Sequence, residues 1–220
     1  MNKTSEEIEE KFVFRPYKSL CTHYANNKYD RWKTIEQFIF SLPPNSMILD
    51  IGCGTGRYLS INNKIIDIGI DPIFEQCKFS HEQHPNSITS EICGNGLMLP
   101  FQDNTFDHVI CIHVIHHFPS KDHRIKCLKE ICRVLRVGGT ALVSAWGINC
   151  ESSRSNEQDQ IVPWKLSQEG IDPNVKLDRF YHFFKEGEFS ELANEISNLE
   201  LLEEVNISER IEAAFLKIPI

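Results

Sequence analysis

The sequence lacks the long apolar segments that membrane and secreted proteins carry. No apolar run approaches the roughly 20 residues that a membrane-spanning helix needs. Residues 1–7 are mostly polar and contain no apolar core of a secretion signal. We therefore expect a cytosolic or nuclear protein with no membrane partner.

Cysteine pairs at metal-ligand spacing are also missing. The chain has 8 cysteines, but no two of them are spaced as Cys-x-x-Cys. Several lie in segments that resemble core strands and helices, such as Cys53, Cys93, Cys111 and Cys132. This distribution predicts free thiols and argues against disulfides or a zinc knuckle.

An excess of positive charge is absent as well. The chain has 31 acidic and 23 basic residues, which give a formal net charge of -8. This balance argues against a protein that binds nucleic acid over its whole surface, although a local basic surface is compatible with it. The 220 residues, 41% of them hydrophobic, predict a single domain with one sizeable core.

A glycine-rich stretch at residues 48–56 dominates what is present. An apolar run containing Asp50 leads into three glycines on alternate positions, Gly52, Gly54 and Gly56. This pattern predicts a strand, a tight turn and a helix N-terminus, as in nucleotide-binding loops. A dinucleotide fingerprint would need its third glycine at position 57, where Arg57 stands, so the pattern does not favour NAD.

Strands and helices alternate from residue 46 onwards. We predict strands at residues 47–51, 65–70, 87–92, 108–113 and 140–146, with helices from about residue 57 and from 121 to about 136. This order predicts a doubly wound, Rossmann-like α/β fold with a mostly parallel sheet, which binds ligands at the carboxyl ends of its strands. Residues 199–205 and 211–218 would add an antiparallel hairpin and complete seven strands.

Three regions of the predicted domain flank the core at residues 46–146. Residues 1–45 predict a polar, disordered lead-in up to residue 10, followed by two helices that form a cap. Residues 147–186 are polar and too long for a plain connection, which favours a lid or substrate loop, with plain disorder as the alternative. Residues 187–220 predict a helix at 187–198 and the terminal hairpin.

Polar residues follow the second and third predicted strands. Asp71, before Pro72, stands where a carboxylate can accept hydrogen bonds from both ribose hydroxyls of a nucleoside. The side-chain oxygen of Asn95 can accept from an adenine amino group, while the N–H groups of Gly96 and Leu97 can reach a ring nitrogen. A turn-forming Asn-Gly pair without a ligand role is the alternative.

A group of histidines lies around the end of the fourth predicted strand. His116 and His117, with His113 and His123, suggest a metal site at first sight. No carboxylate or cysteine completes the set at ligand spacing. We therefore predict no metal.

The motifs resemble two families, one contained in the other. Over residues 46–146 the chain is similar to the class I S-adenosylmethionine (SAM) methyltransferases, through the motifs at 50–56, 99–101, 104–107 and 114–118. More narrowly, it resembles the tRNA wobble-uridine carboxymethyl methyltransferases, including the methyltransferase half of the AlkB-homologue fusion enzymes. That similarity rests on Tyr24 and the motifs at 28–32, 41–44, 115–118, 143–146, 162–164 and 179–188.

The resemblance implies SAM as the cofactor and methyl transfer to the carboxylate of 5-carboxymethyluridine at the tRNA wobble position. The cofactor-binding residues that we expect are Tyr29, Asp50, Gly52, Cys53, Gly54, Gly56, Asp71, Pro72, Asn95, Gly96, Leu97 and His113. The catalytic candidates on the substrate side are Arg179, Tyr181, His182 and His116. A carboxylate with a pKa of about 4 is already ionised at neutral pH, so the protein needs to align it and exclude water.

Purely structural roles remain open for the substrate-side residues. Arg179 would hold the carboxylate or a phosphate, or else form a surface ion pair. Tyr181 and His182 would contact the base, or else pack under the lid. A basic stripe of Lys126, Lys129, Arg133 and Arg136 is more simply a solvated helix face than an RNA contact.

The resemblance also implies two partners, tRNA and a small zinc-binding methyltransferase activator that forms a heterodimer. The activator would cover the third strand at 87–92 and an apolar helix face around Ile73, Phe74 and Cys77. Two other functions remain as alternatives. The chain would be a small-molecule O- or C-methyltransferase of the same fold, or a binding module without catalysis.

Overall fold

In the computed structural model, which describes residues 3–26, 30–84, 90–164 and 177–219, the strands form two sheets. The strands are β1 (Met47–Ile51), β2 (Ile66–Asp71), β3 (Ser90–Cys93), β4 (Phe106–Ile112), β5 (Leu135–Trp146), β6 (Asp159–Trp164), β7 (Leu177–His182), β8 (Leu199–Ile207) and β9 (Arg210–Lys217). The larger sheet has the order β3-β2-β1-β4-β5-β9-β8, and β6 pairs with β7 in the smaller one.

Strand directions in the larger sheet place the functional residues. β1 to β5 pair in parallel, whereas β9 runs antiparallel to β5 and β8 antiparallel to β9. This confirms the predicted mostly parallel, seven-stranded sheet with a C-terminal antiparallel hairpin. Because β1, β2 and β4 are parallel neighbours, the residues that follow them meet at one edge of the sheet.

Helices cover both faces of this sheet. They are α1 (Ser5–Glu9), α2 (Arg15–Ser19), α3 (Cys21–Asn26), α4 (Lys33–Ser41), α5 (Phe74–Gln83), α6 (Lys121–Val134) and α7 (Glu188–Ala193), with a π-helical turn at Glu10–Phe14 and a 3₁₀ turn at Ile115–His117. α6 and α7 pack with Leu49 of β1 in the main core, and α4 packs against Ile48 on the opposite face. β1 is therefore buried on both sides, as its apolar sequence predicts. No described helix has the length and apolarity to cross a membrane.

The N-terminal region is more ordered than the sequence predicts. Within the predicted lead-in, α1 begins at Ser5 behind a capping box in which Thr4 and Glu7 bond each other's backbone N–H groups. The π-helical turn joins α1 to α2 without a break. Glu9 fastens this segment to α6, since its carboxylate lies 2.6 Å from Nδ1 of His123. The polar lead-in is therefore a helix held by a buried carboxylate.

The predicted helix after the glycine loop is wrong. Residues from Gly52 onwards form successive turns instead, with Gly56 N–H donating to the Cys53 carbonyl at 3.0 Å. Ser60 has a φ of 59°, in the left-handed region that an α-helix excludes. Its N–H donates to the Asp67 carboxylate at 2.6 Å, so a tertiary contact replaces the helical hydrogen bond.

The surface predicted to bind the activator, β3 with the apolar face of α5, is only partly exposed. β3 is an edge strand of the larger sheet and begins at Ser90, and residues 85–89 lie outside the described part. Ile73 and Cys77 are buried, so they do not form the expected open face. Phe74 is 64% exposed and remains available on α5.

The predicted basic stripe is divided between two elements. Lys126 and Lys129 are exposed on α6, but Arg136 belongs to β5. Arg133 donates hydrogen bonds to Glu130, to Asp103 and to two backbone carbonyls. This arginine therefore ties α6 to the loop before β4 and is not free for a nucleic acid.

Candidate cofactor and substrate site

A cavity of about 1290 Å³ opens where β1, β2 and β4 end. Its floor is the glycine loop, and residues of α1 to α3 and of the β6–β7 pair line it above. Most of the predicted site residues line this cavity: Asp50, Gly52, Cys53, Gly54, Gly56, Asp71, Pro72, Asn95, Gly96, His113, His116, Arg179 and Tyr181. Leu97 and His182 are not on its wall, and Tyr29 lies outside the described residues.

The glycine loop packs closely against the end of β4. Gly52 has a φ of 71°, and a Cβ built on it would lie 2.2 Å from Cγ2 of Val114. Its N–H donates to the Ile70 carbonyl at 2.7 Å, which ties the loop to β2. Only glycine fits this position, and the floor of the cavity is therefore backbone with room for a ligand.

Asp71 joins the glycine loop to the turn after β2. One carboxylate oxygen accepts from Gly54 N–H at 3.0 Å and the other from Ile73 N–H at 2.9 Å. Burial raises the pKa of Asp71 to about 6, against the lowering effect of these two N–H groups. Each oxygen keeps a lone pair that can accept a ribose hydroxyl.

Asp50 and Asn95 flank the same floor. Asp50 is buried, and burial with the nearby Asp67 and Asp71 raises its pKa well above the usual value. The side-chain oxygen of Asn95 accepts from Leu97 N–H at 2.8 Å. Leu97 N–H is therefore used within the turn, contrary to the prediction that it would reach an adenine nitrogen.

The groups on the floor of the cavity fit a nucleoside cofactor. A carboxylate with spare acceptor capacity stands at the end of β2, beside a loop without side chains. Asn95 and Gly96 line the next part of the cavity. These are the groups that an adenosine ribose and base require.

Arg179 is a buried cation on the opposite wall. Its side chain comes from β7 and is 8% exposed. Nη1 lies 3.4 Å from the hydroxyl of Tyr17 and 3.5 Å from that of Tyr24. Nε is buried without a hydrogen-bond partner, and no carboxylate of the described residues forms an ion pair with this arginine. A buried cation without a described counter-ion can accept an anion.

A neutral histidine orients the tyrosine beside Arg179. Nδ1 of His117 lies 2.9 Å from the Phe180 carbonyl, which can only accept, so Nδ1 carries the proton. Burial lowers the pKa of His117 to about 3, so Nε2 is an unprotonated acceptor. The Tyr17 hydroxyl, 2.9 Å away, therefore donates to Nε2 and turns a lone pair toward Arg179.

His113 and His116, which also line the wall, are neutral at pH 7 as well. Burial lowers the pKa values of His113 and His116 well below the usual range. Nδ1 of His116 accepts from Trp146 N–H at 3.3 Å. The His113 ring lies 4.2 Å from the Trp32 ring and 4.1 Å from the Trp146 ring. These rings form a largely uncharged wall between the glycine loop and Arg179.

His182 does not face the cavity, contrary to its predicted role. Successive side chains of a strand point to opposite faces, so Arg179 and Tyr181 share one face of β7 and His182 lies on the other. Its Nδ1 is 2.6 Å from Asp159 and its Nε2 is 2.6 Å from Glu188. Burial lowers the pKa of His182, but these two hydrogen bonds outweigh it and the pKa is raised. His182 fastens the β6–β7 pair to α7.

We expect His182→Gln to destabilise the protein by about 1–3 kcal/mol near pH 6, since it removes charge-assisted hydrogen bonds from a buried site. Because the folded pKa is raised, this contribution is complete below the unfolded pKa of about 6.5 and is lost as the pH rises through the folded value. Chemical unfolding of both proteins at pH 6 and pH 9 checks this. A difference that grows with pH contradicts it.

Several wall residues were not singled out as site residues from the sequence. Tyr17 and His117 orient Arg179, and Trp164 packs on its guanidinium at 4.1 Å. Tyr17 lies in the segment predicted as the helical cap, where its helical spacing with Leu20 and Tyr24 gives no hint of a polar role. Trp164 belongs to the motif at 162–164, and that motif was the sequence signal that could have marked it as a site residue. Among the residues described, no group of three or more His, Cys, Asp or Glu side chains is placed to hold a metal, and all 8 cysteines are free thiols.

Comparisons with known proteins agree with this geometry. Residues 49–143 match the family model described as a methyltransferase domain. A methyltransferase of Haloferax volcanii, solved in complex with the Trm112 methyltransferase activator, superposes with a TM-score of 0.70. The match covers 92% of this chain and 98% of that chain at 17% identity, so it shows the fold alone.

Two curated relatives carry the same name, tRNA (carboxymethyluridine(34)-5-O)-methyltransferase. The protein of Schizosaccharomyces pombe is 34% identical over 205 residues, covering 84% of this chain and 88% of its own. The protein of Saccharomyces cerevisiae is 32% identical over 181 residues, covering 80% of this chain and 64% of its own, so this chain spans slightly less than two thirds of that relative. The resemblance seen in the sequence is confirmed, and the chain belongs to the family of the tRNA (carboxymethyluridine(34)-5-O)-methyltransferases.

Proposed function

We propose that this protein transfers the methyl group of SAM to the carboxylate of 5-carboxymethyluridine at the wobble position of tRNA. Arg179 carries the proposal. It is a buried cation with an open Nε–H, and no described carboxylate pairs with it. It lines the same cavity as the glycine loop, so a substrate anion bound there would lie beside the cofactor.

The cofactor would lie on the backbone floor. Asp71 would accept the ribose hydroxyls, Asn95 and Gly96 would border the adenine, and the loop at Gly52 would leave space for the methionine portion. When bound, SAM supplies a methyl group on a sulfonium that is ready for transfer to a nucleophile. The residues of this chain then have to orient the substrate and exclude water.

Arg179 presents one edge of its guanidinium to a substrate. The two tyrosine hydroxyls occupy Nη1, whereas Nε on the other edge has no hydrogen-bond partner among the described residues. A carboxylate fits such an edge with two parallel N–H···O bonds. The carboxylate is ionised at pH 7 and needs no general base, and the lowered pKa values of His113, His116 and His117 make these residues weak bases.

We expect SAM affinity to fall roughly tenfold between pH 7 and pH 5, because Asp71 has a pKa of about 6 and its protonated form is a poorer acceptor. Calorimetric titration across this range measures the effect. The pKa of Asp50, which also lines the cavity, is raised as well, so Asp50 could cause a similar pH dependence. Asp71→Asn is the control that separates the two carboxylates. An unchanged pH slope in this variant would assign the dependence to another group.

A methyltransferase activator is part of the proposal. The sheet edge at β3 has open backbone groups, with the exposed Phe74 on the neighbouring α5. The Haloferax volcanii neighbour, which shares the fold, was solved with such an activator. An acidic chain of net charge -8 would also gain from a partner that helps to bind tRNA.

The test uses labelled SAM and tRNA with 5-carboxymethyluridine at the wobble position, with and without the activator. We expect label in the tRNA as a base-labile methyl ester, and none in tRNA with unmodified uridine. Absence of label in both samples rejects the proposal. If SAM also fails to bind in calorimetry, the protein is a binding module, whereas bound SAM without tRNA labelling favours a small-molecule methyltransferase.

A further inference from the structure

Trp164 is a cavity residue to which the proposed function assigns no role. It is the last residue of β6 and lines the cavity beside Arg179. The guanidinium carbon lies 4.1 Å from the centre of the Trp164 ring. The strand register accounts for this contact, because Val162 pairs with Arg179 and Trp164 is two residues further along the same face.

The indole N–H of Trp164 is buried and has no hydrogen-bond partner in the described part of the chain. An indole N–H can only donate, and leaving such a group unpaired in the interior is costly. Nε of Arg179 is in the same condition. Two unsatisfied donors thus lie at one end of the cavity, which indicates a ligand that supplies two acceptors there.

The two donors serve different atoms of the ligand. The guanidinium carbon lies over the face of the indole, whereas the indole N–H lies in the plane of its own ring, about one stacking distance away. The indole N–H therefore does not point toward the guanidinium carbon, and each donor takes an acceptor of its own. In 5-carboxymethyluridine, the carboxymethyl group on C5 is adjacent to the C4 carbonyl, so two acceptors stand side by side.

We infer that Trp164 donates its indole N–H to the C4 carbonyl oxygen of the target base while Arg179 binds the carboxylate, an inference that rests on the proposed function. Trp164 thereby selects uracil over cytosine. Uracil offers an acceptor at this position, whereas cytosine offers an amino group, which would face the indole N–H donor to donor. Rejection of this kind is strong because the buried donor is left unpaired.

The test compares synthetic anticodon stem-loops that carry 5-carboxymethyluridine or 5-carboxymethylcytidine at the wobble position. Trp164→Phe keeps an aromatic ring on Arg179 but removes the N–H. We expect kcat/KM for the uridine substrate to fall about tenfold, as for one lost hydrogen bond, and that for the cytidine substrate to change by less than about twofold. Ile161→Ala, on the same strand but 42% exposed, is the matched control and should change neither.

A substrate change tests the same contact without altering the protein. A stem-loop with the 5-carboxymethyl-2-pyrimidinone base lacks the C4 oxygen. We expect the wild-type protein to lose about tenfold in kcat/KM on this substrate relative to uridine, and the Trp164→Phe variant to lose no more than about twofold. This comparison holds even if the variant is less stable.

The outcomes separate this inference from the proposed function. Suppose that the wild-type protein methylates the uridine stem-loop but Trp164→Phe lowers kcat/KM equally for the uridine and cytidine substrates. The tryptophan then has only a packing role, and the inference is wrong. If the wild-type protein does not distinguish uridine from the pyrimidinone, the inference is also wrong. A wild-type protein that fails on the uridine substrate, with and without the activator, rejects both.

Discussion

Arg179→Gln is expected to lower kcat/KM for tRNA with 5-carboxymethyluridine by roughly 100- to 1000-fold. The variant removes the guanidinium that packs on Trp164 and Tyr181, and with it the two charge-assisted hydrogen bonds that it would donate to the substrate. Such bonds contribute about 1.5–2 kcal/mol each, and each 1.4 kcal/mol corresponds to about tenfold in rate. Steady-state methylation of the tRNA measures the loss.

Two controls separate binding of the carboxylate from a general defect. Arg136→Gln removes an arginine of β5 that pairs with Asp107, does not line the cavity and has a side chain that is 58% exposed, so it should keep activity. SAM affinity in Arg179→Gln should stay within about twofold, since Arg179 lies across the cavity from the glycine loop. Activity close to wild type would show that Arg179 does not hold the reacting group.

Gly52→Ala is expected to abolish measurable SAM binding or weaken it by more than about 100-fold. The new Cβ would lie 2.2 Å from Cγ2 of Val114, and a φ of 71° is unfavourable for alanine. Either the loop or Val114 has to shift to relieve this contact, and a shift of the loop displaces the floor of the cavity. Calorimetry with SAM, with thermal unfolding in parallel, measures both consequences.

The chain offers a matched control for this glycine. Gly138 has a φ of 79°, and a Cβ built on it meets nothing within 4 Å. Gly138→Ala therefore imposes the backbone cost, about 1 kcal/mol, without a clash or a change in SAM affinity. Adding Val114→Ala to Gly52→Ala removes the clashing methyl groups and should recover part of the affinity. No recovery would mean that the backbone angle alone causes the loss.

The floor of the cavity was readable from the sequence because its signals are local. The apolar run ending at Asp50, the alternate glycines and Asp71 about twenty residues later follow rules of spacing that hold wherever the pattern occurs. The order of elements likewise gave the seven-stranded sheet and its antiparallel end. The helix expected after Gly56 failed because Asp67, a residue of the next strand, binds the N–H of Ser60.

The substrate wall depends on contacts between distant segments. Arg179 and His182 both appeared as candidate site residues, three positions apart on one strand. Their side chains point to opposite faces of β7, as set by the pairing of β7 with β6 and by the packing of His182 against Asp159 and Glu188. The roles of Tyr17 and His117 depend on an approach across 100 residues of sequence.

The sequence by itself determined the family, the parallel sheet and the glycine loop, since each is encoded in residues close together along the chain. Tertiary structure alone decided that Arg179 is buried without a described carboxylate partner, that Trp164 packs on it and that His182 faces away. Burial and pairing of a charge depend on which remote segments come together in the fold, and spacing along the chain does not record this.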